Sequence, residues 1–284
     1  MRDKMQEQWE ALRPTKSYGT RITRGPQHGD EWSVSWGGSE MLWYITILPR
    51  IHSFLPAENV LEIASGFGRV TQYLKQFCGH LTVVDLSERC IEFCKQRFSA
   101  NFHISYRVND GKSLAMIPDN SLDFVFSFDS LVHVEEDVIE AYLLELAKKL
   151  KKDAIGFIHH SNLGDYRRDY AWENSVPKFA ERYPRTKGIL RKIWPAELHH
   201  GRSFSVTAEK FNGFAQKAGL KCVSQEIFNW GTRNRFTDCF SVIARVESNR
   251  RCAPQSIKNG EFPREVGYSA YLSSIYGEKK GGIK

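Results

Sequence analysis

The sequence predicts an α/β protein built on a mostly parallel sheet with helices on both faces. Three observations carry that expectation: short apolar runs alternate with helical periodicity from residue 59 onward, a loop of small residues follows the first run at once, and the second run ends on an acid, Asp85. Strands buried on both faces read as continuous apolar runs, and the helices between them must then cover both faces.

Element by element, residues 1–40 hold a short helical stretch, a basic Gly/Pro loop and a tryptophan-rich turn, WSVSWGG, which together read as an arm or lid. Residues 41–55 read as a buried helix that Pro56 ends. Strands are predicted at 59–64, 81–86, 103–108, 122–128 and 154–160, with helices at about 68–78, 88–98 and 135–150. In the last of these helices Val138, Ile139, Tyr142, Leu143, Leu146 and Leu150 share one face, and Lys148, Lys149, Lys151 and Lys152 sit at its C-terminal end, where they complement the helix dipole. The rhythm then breaks over 162–205, too long for an ordinary connection, so an insertion is expected there. Its aromatic side chains, including Tyr166, Tyr170, Trp172 and Trp194, are interleaved with basic ones such as Arg167, Arg168 and Arg202. A helix opening at Thr207 and stopping at Gly219 precedes two more strands, 221–229 and 237–245. The polar, basic tail offers only YSAYLSSIY for packing. The expected division is an N-terminal helical arm over 1–55, a core over 56–161 and 206–246, a substrate lid over 162–205 and a tail over 247–284.

Composition narrows the class. Over 284 residues, 41% hydrophobic and 26% charged content supports a packed core and excludes wholesale disorder. The most apolar stretch, 41–55, is shorter than the roughly 20 residues that span a bilayer and is broken by Pro49, Arg50 and His52, so no transmembrane helix is expected. The opening MRDKMQEQWEALR is mixed in charge and helical in pattern, unlike a secretory signal. Six cysteines without a CxxC pair or zinc-type spacing read as free thiols in a reducing, cytoplasmic compartment. Forty Lys and Arg against thirty-three Asp and Glu leave +7, compatible with an anionic partner or with surface charge that serves solubility alone.

The segment VLEIASGFGRVTQYL, residues 60–74, runs from an apolar strand through small residues into an amphipathic helix. Ala64, Ser65, Gly66 and Gly68 keep side chains out of the space beyond the strand's carboxyl end, where open parallel sheets bind ligands. Asp85, about 20 residues on, stands where an acid can accept hydrogen bonds from a ribose diol. A dinucleotide fold would need a third glycine; that position is Thr71 counted from Gly66 and Arg69 counted from Ala64.

This segment resembles motif I of the class I S-adenosylmethionine (SAM) dependent methyltransferases, carried here by Glu62, Ala64, Gly66 and Gly68, with Ala64 where the family has its first glycine. The resemblance implies a Rossmann-like, seven-stranded sheet with an antiparallel last strand and SAM as cofactor. It implies that Glu62 positions the methionine amine, that Gly66 and Gly68 pass beneath the cofactor with Ala64 and Ser65 in the same binding loop, that Asp85 holds the ribose, and that Leu86 and Ser87 border the adenosine. Asn109, Asp110 and Gly111 fall where the family contacts adenine, with Asp110 facing the amino group. The same three residues also read as an Asx turn closed by Gly111, and the two roles are compatible. Phe128, Asp129 and Ser130 match the motif IV region, and Phe128 is assigned to the cofactor site.

A sulfonium methyl is already activated, so alignment and exclusion of water are the main demands, and a hydroxyl acceptor adds the need for a base near neutrality. His133 is the first candidate base and His160 the second, with Asp129 beside them; a structural role is open for each histidine. Since alternate strand residues face opposite ways, at most one of His159 and His160 can face the methyl. No spacing calls for a metal, although Asp129 with Asp165 or His160 could offer ligands. Ser127-Phe128-Asp129-Ser130 replaces the Pro-Pro-aromatic motif of DNA amino-methyltransferases, so nucleobase methylation is not expected. The favoured activity is O-methylation of a small-molecule or saccharide acceptor, with the +7 charge compatible with an anionic one. An N-methyltransferase acting on a small amine, an RNA-binding protein on the same scaffold and a nicotinamide-dependent oxidoreductase are the alternatives.

Overall fold

The structure, a computed structural model, describes residues 29–170, 201–230, 235–250 and 255–276. Eight strands form one sheet in the order β3-β2-β1-β4-β5-β7-β6-β8: β1 Ala57–Ile63, β2 Cys78–Asp85, β3 Ile104–Val108, β4 Leu122–Ser127, β5 Leu150–Ser161, β6 Leu220–Phe228, β7 Asp238–Arg245 and β8 Gln255–Asn259. β7 runs antiparallel to both β5 and β6, and every other pairing is parallel. The expected Rossmann-like order is therefore present, with one strand beyond the seven predicted.

Helices lie on both faces. α1 (Ser39–Met41), wide π turns over Leu42–Ile47 and α2 (Leu48–Ile51) make one helical path in place of the single helix expected over 41–55. Pro49, at the start of α2, lacks the amide that would continue a regular ladder, and the looser turns sit just before it. α3 (Thr71–Leu74), α4 (Glu88–Arg97), α5 (Glu136–Lys149), α6 (Ala208–Lys217) and α7 (Phe262–Tyr276) follow. Trp36, Trp43, Phe126, Phe157, Phe228, Phe240 and Phe262 fill one face of the sheet. Leu61, Ile63, Val125, Ile243 and the inward faces of α5 and α6 fill the other. The lysines ending α5 act within the fold: Lys149 pairs with Asp119 at 2.6 Å and Lys151 with Asp123 at 2.8 Å.

Three expectations need correction. The helix after the glycine loop shrinks to α3 and a 3₁₀ turn, Lys75–Phe77, because β2 begins early: Cys78 and His80 already pair with Ala57 and Asn59. β5 starts at Leu150, directly on the end of α5, since Leu150 already pairs with Leu122 of β4; the register shifts across the polar KKD that follows and resumes at Ile155 on Phe124. The tail is more ordered than its polarity suggests. β8 is exposed on both faces and pairs through its backbone with β6, and Asn259 at its end donates to Glu226 of β6 at 2.7 Å. Arg50 joins Glu226 at 2.7 Å and Glu265 of α7 at 2.9 Å, so the N-terminal helices, β6 and α7 share one half-buried ion cluster. In α7 two serines, and not the tyrosines, face the N-terminal turn. Ser269 and Ser273 donate to the carbonyls of Trp36 and Gly37, whereas Tyr268, Tyr271 and Tyr276 are exposed.

Of the expected lid, residues 171–200, with Trp172 and Trp194, lie outside the described residues. Its ends are packed. Tyr166 accepts the Phe236 amide at 3.0 Å, Tyr170 and Arg202 are buried, and Arg167 and Arg168 are exposed. Among the described residues no helix is long and apolar enough to cross a membrane.

Candidate active site

β1 and β4 are neighbours at the centre of the sheet, and their following connections depart to opposite sides, which opens a crevice beyond their carboxyl ends. The chain leaves β1 through three residues of left-handed backbone: Ala64 at φ +57°, Gly66 at +56° and Gly68 at +78°. The two glycines serve different needs. A Cβ on Gly66 would enter open space, as it should where a ligand lies against main chain, whereas one on Gly68 would stand 2.6 Å from the Phe98 ring. Gly68 is thus a packing glycine, and Ala64 holds a conformation that disfavours its own side chain.

The neighbouring loop is stitched to this one. Ser127 Oγ donates to the Ile63 carbonyl at 3.0 Å and Ser130 Oγ to the Ala64 carbonyl at 2.7 Å. From β2, Asp85 accepts the Gly66 amide on Oδ2 and the Ser87 amide on Oδ1, both at 2.8 Å. Burial pushes the Asp85 carboxyl up to about 6 against the pull of those amides. Glu62 is buried, bound by the Thr71 hydroxyl at 2.6 Å, and burial pushes it up to about 7, with Asp85 adding to the rise. Thr71, which broke the dinucleotide glycine pattern, therefore has a positive role here.

These residues fit an adenosyl sulfonium. Open space faces Gly66. The Asp85 oxygens accept the Gly66 and Ser87 amides, and a carboxylate, with about four lone-pair sites, has room left for a ribose hydroxyl. Glu62 is a buried acid whose proton an incoming ammonium would displace.

Several other assignments fare differently. Asn109 is buried and spends its side chain inside the fold, on the Ser113 carbonyl, the Tyr142 hydroxyl and the Gly111 amide. Asp110 accepts the Lys112 and Ser113 amides, so the Asx turn is formed. Leu86 would touch a Cβ placed on Gly111, at 3.6 Å, and Ser87 caps α4 by accepting the Cys90 amide. Phe128 is corrected: its ring packs against His159, Trp230 and Phe240, on the core side of the strand. His160 is corrected too. Fully buried on the α6 face, it stacks on Phe211 at 4.0 Å and binds Ser241 at 2.8 Å, and burial pushes its pKa down to about 3.

His133 is half-buried. In a 3₁₀ turn after β4, its Nδ1–H donates to the Gly201 carbonyl at 3.0 Å, which leaves the lone pair on Nε2, without a hydrogen bond among the described residues. Burial and the nearby Arg202 lower its pKa and so favour the neutral ring. Asp129 has its carboxylate on Arg69 at 2.8 Å with Arg202 at 3.8 Å. Burial opposes ionisation there, but the two arginines outweigh it and hold the acid below the usual carboxylate range. Among the described residues no three metal-ligating side chains converge. Sequence reasoning met Arg69 and Thr71 only as residues that break a glycine pattern and His159 only as an alternative to His160, and it missed Asp238.

A family model described as a methyltransferase domain matches residues 60–153. Phosphoethanolamine N-methyltransferase 1 of Zea mays is 31% identical over 132 residues, 43% of this chain and 26% of that protein. The chain thus spans about a quarter of that relative's length. Among solved structures, the PH0226 protein of Pyrococcus horikoshii OT3 superposes with a TM-score of 0.52 at 16% identity, over 84% of this chain and 98% of that one. Magnesium protoporphyrin IX methyltransferase from Synechocystis PCC 6803, with bound S-adenosylhomocysteine (SAH), gives 0.51 at 14% identity, over 86% and 95%. These likenesses show a shared fold. The family match places a methyltransferase domain over residues 60–153, the stretch that holds the loop after β1.

Proposed function

We propose that the protein transfers a methyl group from SAM to a hydroxyl of a small-molecule or saccharide acceptor, with His133 taking the acceptor's proton. The carrying observation is the fixed tautomer of His133, whose Nδ1–H is spent on Gly201 and whose Nε2 keeps its lone pair, with no hydrogen bond among the described residues. When bound, SAM supplies an electrophilic methyl on sulfonium. The chain's residues do the rest. Glu62 and Asp85 hold the amine and the ribose, Gly66 gives the backbone its close approach, and His133 Nε2 receives the proton. The free thiols of Cys90, Cys94, Cys222 and Cys239 support a reducing, cytoplasmic setting.

An amine acceptor is the second reading, favoured by the N-methyltransferase named among the relatives. A neutral His133 could equally strip an ammonium before transfer. Labelled methyl transfer from SAM into cell-extract fractions, with the methylated atom located by NMR, separates the two. His133→Gln should keep SAH affinity and lower kcat by about a hundredfold; unchanged turnover would remove the base assignment.

A further inference from the structure

Asp129 stands at φ +58°, a left-handed conformation held from below. Its main-chain N–H donates to His159 Nδ1 at 3.0 Å. A ring nitrogen that accepts carries no proton, so His159 is the Nε2–H tautomer, and that N–H donates to Asp238 Oδ1 at 3.1 Å. Asp238 is fully buried at the start of β7, where Arg202 Nε reaches both its oxygens, at 2.9 and 3.1 Å, and the Thr237 hydroxyl donates at 2.7 Å. Rings of Phe128, Phe228, Trp230 and Phe240, at centroid distances of 5.2, 5.5, 5.2 and 4.8 Å, wall the imidazole in. His159 cannot turn over without breaking this packing.

What the chain of bonds controls lies one residue on. Asp129 aims its carboxylate at Arg69 of the glycine loop, which in turn reaches Ser33 at 3.4 Å. Ser130 ties the loop to Ala64, and His133 follows in the same turn. We infer that His159 and Asp238 are positioning residues for methyl transfer, acting through the main chain of Asp129 to fix the loop that carries His133. This rests on the methyl-transfer reading above. Neither residue meets the crevice; each acts through the next, as outer partners orient ligands elsewhere.

Three replacements of His159 separate orientation from packing. His159→Asn sets an amide oxygen near the place of Nδ1 and can still accept from Asp129. His159→Gln reaches toward Asp238 and leaves the Asp129 amide without its acceptor, and His159→Phe keeps ring packing alone. Titration with SAH should give Kd within about threefold of wild type for all three, with KM for SAM likewise unchanged. Turnover of the extract fraction that the wild type methylates should fall about tenfold to a hundredfold in Gln and Phe and recover in Asn. Equal loss in Asn and Gln, or no loss in Phe, would overturn the inference. Nitrogen-15 NMR of the wild-type protein reads the relay without any acceptor or variant: His159 should show the Nε2–H tautomer coupled to the Asp129 amide. An Nδ1–H tautomer would overturn the relay, whereas absence of any methyl transfer beside the expected tautomer would count against the functional reading alone.

Discussion

Glu62→Gln tests whether the crevice is as dry as the structure makes it. The Glu62 carboxyl is buried beside Asp85 with one hydroxyl donor, Thr71, and sits near pH 7 instead of 4.5. That displacement corresponds, at about 1.4 kcal/mol per pH unit, to about 3 kcal/mol between the protonated and ionised folded states. The sign follows from a raised acid. The unfolded chain releases the proton from pH 4.5 upward while the folded chain keeps it, so this contribution to stability is whole below pH 4.5 and is lost as pH rises through 7. A glutamine keeps the contact with Thr71 and never ionises. Urea unfolding of both proteins from pH 4 to 8 should therefore show the variant gaining on the wild type by about 3 kcal/mol across that window. Asp85 titrates in both proteins, so the difference between the two curves isolates Glu62. A difference that stays flat with pH would mean that water reaches the carboxylate, and the proposed pocket for the methionine amine would fail.

The remaining expectations are quicker to state. Gly66→Ala should cost about 1 kcal/mol of stability for its left-handed backbone yet abolish detectable SAH binding, while Gly68→Ala should unfold more readily because its Cβ meets Phe98 at 2.6 Å; equal effects on binding and stability at the two glycines would contradict the division of roles. Phe262→Ala should cost about 3–5 kcal/mol in thermal or urea unfolding, since that ring is 1% exposed and packs on Phe228 at 4.2 Å. A loss below about 1 kcal/mol would show that α7 is not part of the folded body.

Residues that bury apolar faces or need unusual backbone could be read directly from the sequence. The strands from Val60 to Ile243, the helix faces of α5 and α6, and the loop through Gly66 followed from periodicity and small side chains. β8 was illegible because an edge strand exposed on both faces needs no apolar pattern, only backbone pairing with β6. In α7 the YSAYLSSIY patch does pack, but through Ser269 and Ser273, which donate to the carbonyls of Trp36 and Gly37, while its tyrosines are exposed. Asn109 shows a similar limit: a polar residue after a strand suits a ligand or a turn equally, and only the Tyr142 hydroxyl decides. His159 and Asp238 lie 79 positions apart and meet only because β7 inserts antiparallel beside β5.

Calorimetric titration of the wild-type protein with SAH at pH 7, run in two buffers of different ionisation enthalpy, asks the most direct question. Micromolar affinity, roughly −8 kcal/mol, with a heat that depends on the buffer because the ligand's ammonium drives the proton off Glu62, is the result expected. No binding in either buffer at about a hundred micromolar protein would contradict an adenosyl site at the end of β1.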